Sequence, residues 1–430
     1  MTMAAGSPDA VSHTATQGLP PLPLPKGVSS RYVPVNDLVL HFLEALPKQA
    51  NVEKPALLLL LHGFPELAYS WRHLLRPLAD LGYRVVAPDQ RGYGRTIPSS
   101  GTDYPYTYES PLAQFSLADR VRDIVALVFA LGYESAACVI GHDFGSSVAA
   151  NCALIRPDVF RSLVLMSGAF TGAPDVPSSV PTLSSPVDAL VASDRRVTSP
   201  TQITSLALDA LFASMDPPRM HYQHYFSLPQ ANEHIHKDLT PDELHTFLRD
   251  AYSPRALTAW TKEEASRLPP YYLPPRSQSM PDVVNPYRPQ GADLERSRAW
   301  LTDTDVAVFA QEFGRTGFQG ALNRYRCLSG LGRIGDTPDS ISASDEDYTA
   351  PLSLFARKKV EVPVLFIAGS MDWGPKQIPG GLAKMREVCP LMKPGDEGIV
   401  FVEDAGHWVQ QEQPEEVFRA LKVFLQETDE

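Results

Sequence analysis

The chain has 430 residues, of which 43% are hydrophobic and 20% charged, a balance typical of a globular protein with one large domain or two smaller ones. Its formal net charge of −12 argues against nucleic acid and anionic membranes as partners, because both are negatively charged. None of its 11 histidines has the paired spacing of a zinc site, so no metal is expected. The longest strongly apolar run, residues 56–61, is too short to cross a bilayer.

The N-terminal segment, residues 1–28, is rich in Pro, Ser, Thr and Gly and lacks the basic start and apolar stretch of a signal peptide. We predict a disordered or loosely attached tail there. Because the C-terminus carries no retention or peroxisomal signal either, a cytoplasmic location is expected. Cys138 and Cys152 lie within apolar runs, which indicates buried free thiols.

Beyond the tail, short apolar runs of strand character alternate with helical patterns. A helix is predicted at residues 116–132, because Ser116 and Asp119 form a capping box and Gly132 ends the apolar periodicity. Strands are predicted at residues 37–45, 56–64, 83–89, 137–142, 162–168, 362–370 and 398–408, and the last helix at residues 414–426. This alternation predicts a doubly wound, mostly parallel α/β sheet.

The alternation is interrupted between residues 169 and 352, where the sequence is mostly helical and is rich in Pro, Ser and Thr at both edges. We interpret residues 169–352 as an inserted helical cap with flexible edges. The core of the protein then consists of residues 29–168 and residues 353–430.

The stretch GHDFG, residues 141–145, places Asp143 between a predicted strand and a segment of helical character. A nucleophile at a sharp strand-to-helix turn requires small residues two positions before and two positions after it, and Gly141 and Gly145 stand there. The same motif also occurs as an ordinary glycine-rich turn. Because a strand and a helix flank it here, we interpret Asp143 as a nucleophile.

Backbone donors for an oxyanion are expected from the stretch HGFP, residues 62–65, which follows the longest apolar run. The N–H groups of Phe64 and Phe144 would point at one oxygen, whereas His62 is expected to be structural. The alternative is a turn that only ends the strand. Pro65 is a candidate for the wall of the substrate pocket.

The acid and the histidine of such a site follow the nucleophile in chain order. Asp372 and His407 each come directly after a predicted strand. Taken singly, either is more often a turn or surface residue, but three candidates at successive strand ends, in the required order, predict a catalytic triad. Glu403 and Asp404 are interpreted as solvated loop charges, and Trp408 is a second candidate for the pocket wall.

Five stretches together resemble the epoxide hydrolases of the α/β-hydrolase fold. They are HGFPE at residues 62–66, PDQRGYG at 88–94, GHDFG at 141–145, AGSMD at 368–372 and GHW at 406–408. The resemblance covers roughly residues 30–430. It implies the α/β-hydrolase fold with a helical cap domain inserted into it.

The resemblance continues inside the predicted cap and implies two tyrosines that polarise the epoxide oxygen. Residues 300–326 match the family closely and put Tyr325 at one of these positions, and YQHYF at residues 222–226 points to Tyr222 for the other. Tyr225, one helical turn away, is the alternative to Tyr222. Without the family, any of the 16 tyrosines is more often a packing or surface residue.

The resemblance implies hydrolysis of an epoxide to a vicinal diol, with a small-molecule epoxide and water as partners and no cofactor. Asp143 would displace the epoxide oxygen and form an ester whose carbonyl belongs to the enzyme. His407, oriented by Asp372, would then activate the water that cleaves this ester. Phenols, which are protonated at neutral pH, would donate to the epoxide oxygen.

Four other functions are weighed against this one. A haloalkane or haloacid dehalogenase shares the Asp nucleophile, but Phe64 and Phe144 provide no indole or amide for a halide, and no arginine follows closely to hold a carboxylate. An esterase is disfavoured because Asp143 stands in place of serine. A binding protein without chemistry would not need five catalytic side chains. An epoxide-opening cyclase uses the same constellation and stays open as an alternative.

Overall fold

The structure of the chain is a computed structural model. It describes residues 18–48, 54–101, 105–174, 200–253, 273–334, 341–343 and 347–428. Residues 1–17 of the predicted tail and residues 175–199 at the first predicted edge of the cap lie outside these ranges.

The centre of the protein is one large sheet. Its strands are β1 (Val28–Val35), β2 (Leu38–Ala45), β3 (Leu57–Leu61), β4 (Arg84–Pro88), β5 (Ile97–Pro98), β6 (Cys138–His142), β7 (Leu163–Met166), β8 (Val364–Gly369) and β9 (Ile399–Val402). They lie in the order β1-β2-β4-β3-β6-β7-β8-β9, with β5 beside β2. All pairs from β4 to β9 are parallel, and β2 pairs antiparallel with β1, β4 and β5. The predicted doubly wound, mostly parallel sheet is confirmed.

Strand β3 shows why a run of five leucines forms a strand here. Leu57, Leu59 and Leu61 belong to the apolar cluster on one face of the sheet. Leu58 and Leu60 belong to the cluster on the other face, and the whole strand is completely buried. A strand that is covered by helices on both faces needs no polar alternation.

Helices cover both faces of the sheet. The helices of the first half are α1 (Arg72–Asp80), α2 (Leu117–Ala130) and α3 (Phe144–Ile155). Helix α2 begins as predicted, because the Ser116 side chain accepts a hydrogen bond from the N–H of Asp119. Residues of α2 and α3 belong to one apolar cluster, and residues of α1 belong to the other.

The described residues between β7 and β8 are mostly helical and lie over the carboxyl ends of the strands. The helices among them are α4 (Pro200–Ala213), α5 (Tyr222–Ser227), α6 (Pro241–Ala251), α7 (Met280–Val284), α8 (Ala292–Trp300), α9 (Asp303–Thr316) and α10 (Gln319–Ser329). Their aromatic residues form one cluster with Phe64, which follows β3, and Trp408, which follows β9. The cap boundaries at residues 169 and 352 stay a prediction. Within the second predicted edge, Leu331–Ile334 pairs antiparallel with Ile341–Ala343.

The chain returns to the sheet with β8 and β9. The remaining helices are α11 (Gly381–Val388), α12 (Gly395–Gly398), α13 (Val409–Glu412) and α14 (Pro414–Thr428). Short 3₁₀ segments lie at Ala68–Trp71, Ala113–Phe115, Asn285–Tyr287, Ala350–Phe355 and Gly374–Lys376, and a π-helical segment lies at Glu233–Lys237. In the described part of the chain, no helix combines the length and apolar composition that crossing a bilayer requires.

Strand β1 and the segment before it differ from the sequence prediction. Strand β1 is an edge strand of mixed polar and apolar residues, so it lacks the apolar run by which the other strands were predicted. Leu22 and Leu24 pack against the sheet and the cap, and Arg95 donates a hydrogen bond to the Pro20 carbonyl at 2.7 Å. Residues 20–24 are thus held against the protein, which composition alone does not register for two leucines that alternate with prolines, and the predicted tail over residues 1–28 as a whole stays a prediction.

All four cysteines are buried and free. The prediction of buried free thiols is therefore confirmed for Cys138 and Cys152.

We expect Gly145→Ala to disrupt the core. A Cβ atom at Gly145 would lie 2.1 Å from the carbonyl oxygen of Leu61, and this oxygen belongs to the backbone of a central strand. The free energy of unfolding, measured by urea denaturation, should fall by more than about 4 kcal/mol, a size typical of severe core mutations.

The matched control is Gly314→Ala within helix α9. A Cβ there would meet only the Leu244 side chain, at an ordinary 3.6 Å. Since glycine destabilises a helix interior relative to alanine, this variant should gain about 0.5–1 kcal/mol. If Gly145→Ala lost less than about 1 kcal/mol, the close approach of α3 to β3 would be contradicted.

Candidate active site

Asp143 lies at the turn between β6 and α3 in a strained backbone conformation, with φ 52° and ψ −118°. A residue other than glycine with positive φ typically costs about 1–3 kcal/mol, and such strain persists where the surrounding structure fixes it. A Cβ at Gly141 would lie 2.2 Å from the Gly145 carbonyl oxygen. Gly141 and Gly145, the two glycines predicted to allow this sharp turn, are thus needed because the backbone of α3 touches the backbones of β6 and β3.

The loop after β3 reaches the side chain of Asp143. The N–H of Phe64 donates a hydrogen bond to Oδ1 of Asp143 at 2.8 Å. A Cβ at Gly63 would lie 2.4 Å from the same Oδ1, so this loop approaches the carboxylate as closely as a backbone can. Phe144 is the first residue of α3, and its N–H is one of the donors that a helix leaves without an internal acceptor.

His407 lies between two carboxylates. Its Nδ1 is 2.9 Å from Oδ1 of Asp372, and its Nε2 is 3.6 Å from Oδ2 of Asp143. Asp372 is almost completely buried and also accepts a hydrogen bond from the N–H of Gly374 at 2.8 Å. The three side chains predicted as a triad are therefore brought together, in the order nucleophile, histidine, acid.

The two carboxylates determine the charge of His407. Burial opposes the imidazolium form, but Asp372 and Asp143 together raise the pKa of His407 to about 10. In return, burial opposes ionisation of Asp143, while His407 and the Phe64 N–H lower the pKa of Asp143 below its ordinary value. At neutral pH the site holds an ionised Asp143 beside a protonated His407.

A cavity of about 90 Å³ lies above Asp143, between the sheet and the cap. Of the residues proposed from the sequence, Phe64, Pro65, Asp143, Tyr222, Tyr325, His407 and Trp408 line it. The sequence did not single out the other lining residues, which are Phe226, Phe247, Ala251, Met280, Val284 and Trp373. Most of these lie on cap helices, and no local motif marks them as pocket residues.

The two tyrosines proposed from the cap lie side by side, with ring centroids 6.1 Å apart. Tyr325 is almost completely buried, and burial raises the pKa of both phenols above the ordinary value. Tyr225 faces elsewhere, because its hydroxyl lies 3.1 Å from Nδ1 of His234 and accepts a hydrogen bond from the N–H of Met280. The cavity geometry thus favours Tyr222 over Tyr225.

A buried network that the sequence analysis missed links the loops of the site. Oε2 of Glu66 accepts a hydrogen bond from the N–H of Gly63 at 2.9 Å and lies 2.6 Å from Nδ1 of His142. Nε2 of His142 lies 2.7 Å from the carbonyl oxygen of His407. Gln410 and Gln411 donate to the other oxygen of Glu66. The sequence did contain a signal for this network, because Glu66 lies in the stretch HGFPE and His142 in the stretch GHDFG, and both stretches come at the ends of apolar strands.

Glu412 holds the loop that carries His407. Its carboxylate accepts hydrogen bonds from the N–H groups of Gly406 and Trp408, at 2.8 and 2.9 Å. Burial raises the pKa of Glu412 to about 7, although the two N–H donors oppose this rise. Glu412 lies five residues beyond His407 in the sequence and had no motif to mark it.

His62 has a structural place, as expected from the sequence. It is fully buried, with Nδ1 2.9 Å from the Gly63 carbonyl oxygen and Nε2 accepting from the N–H of Gln90. Burial lowers the pKa of His62. Among the residues described, no group of three or more His, Cys, Asp or Glu side chains is arranged to hold a metal ion.

The comparisons with known proteins agree with this geometry. A family model described as the alpha/beta hydrolase fold matches residues 56–207. Epoxide hydrolase A of Mycobacterium tuberculosis is 31% identical over 405 residues, which cover 92% of this chain and 97% of that protein. The structure is similar to that of an epoxide hydrolase from an endophytic Streptomyces, with a TM-score of 0.66, 30% identity and coverage of 94% of this chain and 96% of the other. It is also similar to epoxide hydrolase A of Mycobacterium thermoresistibile, with a TM-score of 0.64, 29% identity and coverage of 93% and 98%.

We expect Glu66→Gln to destabilise the protein in a pH-dependent way. Burial opposes ionisation of Glu66, but His142 and the Gly63 N–H lower its pKa below the ordinary 4.5. A carboxylate whose pKa is lowered on folding stabilises the protein above about pH 4.5, and this contribution disappears as the pH falls through the lowered value. Urea denaturation at pH 7 should show a loss of about 3 kcal/mol in the variant, as for other broken buried ion pairs.

The difference between wild type and Glu66→Gln should shrink when the same measurement is made at pH 4 and below. A difference that is equal at pH 7 and at the lowest pH at which both proteins fold would show that the charge of Glu66 contributes nothing. The control is Glu243→Gln, which changes an exposed carboxylate in the capping box of Thr240.

Proposed function

The chain belongs to the epoxide hydrolases of the α/β-hydrolase fold, and we propose that it converts an epoxide to a vicinal diol through a covalent ester on Asp143. The observation that carries this proposal is the placement of the Asp143 carboxylate. Its Oδ1 accepts from the Phe64 N–H, and its Oδ2 lies 3.6 Å from Nε2 of His407. Tyr222 and Tyr325 line the same cavity.

In the first step, Oδ2 of Asp143 attacks an epoxide carbon, because Oδ1 is already engaged by the Phe64 N–H. A carbon–oxygen bond to Asp143 forms while the ring carbon–oxygen bond breaks. The ring oxygen takes a proton from Tyr222 or Tyr325, since an alkoxide is a poor leaving group without one. The negative charge thus moves from the Asp143 carboxylate to a phenol oxygen.

In the second step, His407 first gives its extra proton to the phenolate and then removes a proton from water, which adds to the carbonyl carbon of the Asp143 ester. The N–H groups of Phe64 and Phe144 stabilise the resulting oxyanion. When the intermediate collapses, the departing alkoxide takes the proton from His407, and Asp143 is left as a carboxylic acid. Transfer of the Asp143 proton to His407 restores the starting charges.

Esterification also makes the neutral form of His407 available as a base. The pKa of His407 is raised to about 10 by two carboxylates, of which Asp143 is one. The ester carries no charge, so the pKa of His407 falls as soon as the ester forms. The histidine is therefore protonated in the free enzyme and becomes ready to accept a proton when the water must be activated.

The cavity supports a neutral, compact substrate. Its described lining is aromatic and aliphatic apart from Asp143 and His407 and contains no Lys or Arg that would pair with a carboxylate on the substrate. This lining disfavours a haloacid dehalogenase. An epoxide-opening cyclase would open the ring with a hydroxyl of the substrate in place of Asp143, and the product distinguishes it, because a cyclic ether gains no oxygen from labelled water.

We expect the His407→Gln variant to accumulate the Asp143 ester, because it lacks the base of the second step. The variant should be mixed with a panel of neutral epoxides and alkyl halides, and its intact mass measured. An epoxide should add its whole mass, and peptide mapping should locate the addition on Asp143.

The control is Asp143→Asn combined with His407→Gln, which should gain no mass. An addition formed only from a halide, without the halogen, would identify a dehalogenase instead. If no compound added to His407→Gln while the wild type produced diol from the same panel, the covalent route would be refuted.

We expect replacement of both cavity tyrosines to slow ring opening. Tyr222→Phe or Tyr325→Phe alone leaves one proton donor, whereas the double variant leaves none, so its single-turnover rate should fall by about 10²–10⁴, the usual range for general acid catalysis. Tyr225→Phe is the matched control, since its hydroxyl contacts His234 and Met280 rather than the cavity. Ring opening in the double variant within about threefold of wild type would refute the role of the phenols.

A further inference from the structure

Arg324 is a buried cation next to the proposed active site. It is 2% exposed and precedes Tyr325 on helix α10. Its Nη2 donates a hydrogen bond to the Ser147 hydroxyl at 2.6 Å, and its guanidinium carbon lies 5.1 Å from the centroid of the Phe144 ring. Within the described residues it has no carboxylate partner, and its Nε has no hydrogen-bond acceptor.

Several features of its surroundings oppose a positive charge at Arg324. Burial without a counter-ion is unfavourable for any charged group. A second buried cation, Arg120, adds repulsion and, together with burial, lowers the pKa of Arg324 to about 10. Ser147 lies in the first turn of α3, where the helix dipole is positive as well. With a pKa of about 10, Arg324 nevertheless stays charged at neutral pH.

Three groups favour this charge, and one of them belongs to the proposed site. Cys327 and Tyr93 attract Arg324 when they ionise, and so does the carboxylate of Asp143, the residue from which α3 starts. On the cap side, the ring of Tyr325 packs on the ring of Phe144 at 4.6 Å. Arg324 opposes the rise that burial, Tyr222 and Asp143 cause in the pKa of Tyr325. Phe144 therefore lies between the cation and the phenol that is proposed to lose a proton.

We propose that Arg324 is a positioning residue for ring opening, whose charge stabilises the negative charge first on Asp143 and then on the phenol oxygen of Tyr325. This inference rests on the proposed function. One negative charge leaves the carboxylate as the ester bond forms and appears on the phenol as its proton passes to the epoxide oxygen. Because the charge of Arg324 interacts with both Asp143 and Tyr325, it stabilises this charge throughout the transfer. Arg324 lies outside the cavity wall and acts through Phe144 and Ser147 rather than by touching the substrate.

The test measures adduct formation and stability together. Arg324→Met and Arg324→Lys are each combined with His407→Gln, so that the mass gain reports ring opening alone. The probe is the neutral epoxide that labels His407→Gln fastest. Arg324→Met should slow labelling by about tenfold or more, as expected when a charge near a reacting group is lost. Arg324→Lys should restore the rate to within about threefold of the parent, because it restores the charge.

Stability distinguishes this role from that of a scaffold residue. Replacing an unpaired buried charge by an apolar residue of similar size is neutral or stabilising, so Arg324→Met should unfold at the same temperature as its parent or higher. Arg326→Met is the matched control on the same helix. Arg326 donates to the Tyr108 carbonyl and to Asn323, so its removal should lower the unfolding temperature while the labelling rate stays within about threefold.

Two results would overturn the inference. One is unchanged labelling in Arg324→Met. The other is a slow rate and a lowered unfolding temperature in both Arg324 variants, which would make Arg324 a scaffold residue. If His407→Gln itself were not labelled by any epoxide, the proposed function would fail first, and the role of Arg324 with it.

Discussion

The site depends on a close approach of three backbone segments around Asp143. The turn after β6, the first residues of α3 and the loop after β3 meet so tightly that glycine is required at Gly63, Gly141 and Gly145. This contact holds Asp143 at a positive φ that it would not adopt alone, and it brings the Phe64 N–H to within 2.8 Å of the carboxylate. The energy that keeps Asp143 strained comes from the completely buried central strands β3 and β6 beneath it. A site of this kind is therefore as rigid as the core of the protein, and its geometry is set before a substrate arrives.

A buried polar network extends that rigidity to the loop of His407. Glu66 and His142 connect the N–H of Gly63 to the carbonyl oxygen of His407, so the loop after β3 and the loop of His407 are held together. Glu66 and His142 are fully buried, and their side-chain polar atoms are all engaged by protein groups. Glu412 supports the same loop from its other side. His407 is thus held at its distance of 3.6 Å from Asp143 although it lies in a loop.

The sequence predicts the parts of the site that a local pattern determines. Asp143, Asp372 and His407 each follow a recognisable strand, and parallel strands bring their carboxyl ends to one edge of the sheet. The fold follows from the same alternation of strands and helices. Strand β1 was not predicted from the sequence, because an edge strand needs no apolar run. The pocket residues Phe226 and Phe247 were not predicted either, since their place depends on how the cap helices pack over the sheet, and this packing leaves no local trace.

The proposed use of an aspartate as nucleophile follows from the path that the negative charge takes during the reaction. A serine becomes an acyl ester whose carbonyl comes from the substrate, so it suits substrates that already carry a carbonyl. An epoxide carries none, and Asp143 supplies its own, with Oδ1 already beside the Phe64 N–H that is proposed to stabilise the later oxyanion. Together with Asp372, the charge of Asp143 also raises the pKa of His407. In the proposed mechanism, one carboxylate is therefore the nucleophile, the later acyl group and the group whose loss of charge lowers the pKa of the base. A serine, neutral before it reacts, would leave His407 with one carboxylate partner and no such change in pKa between the two steps.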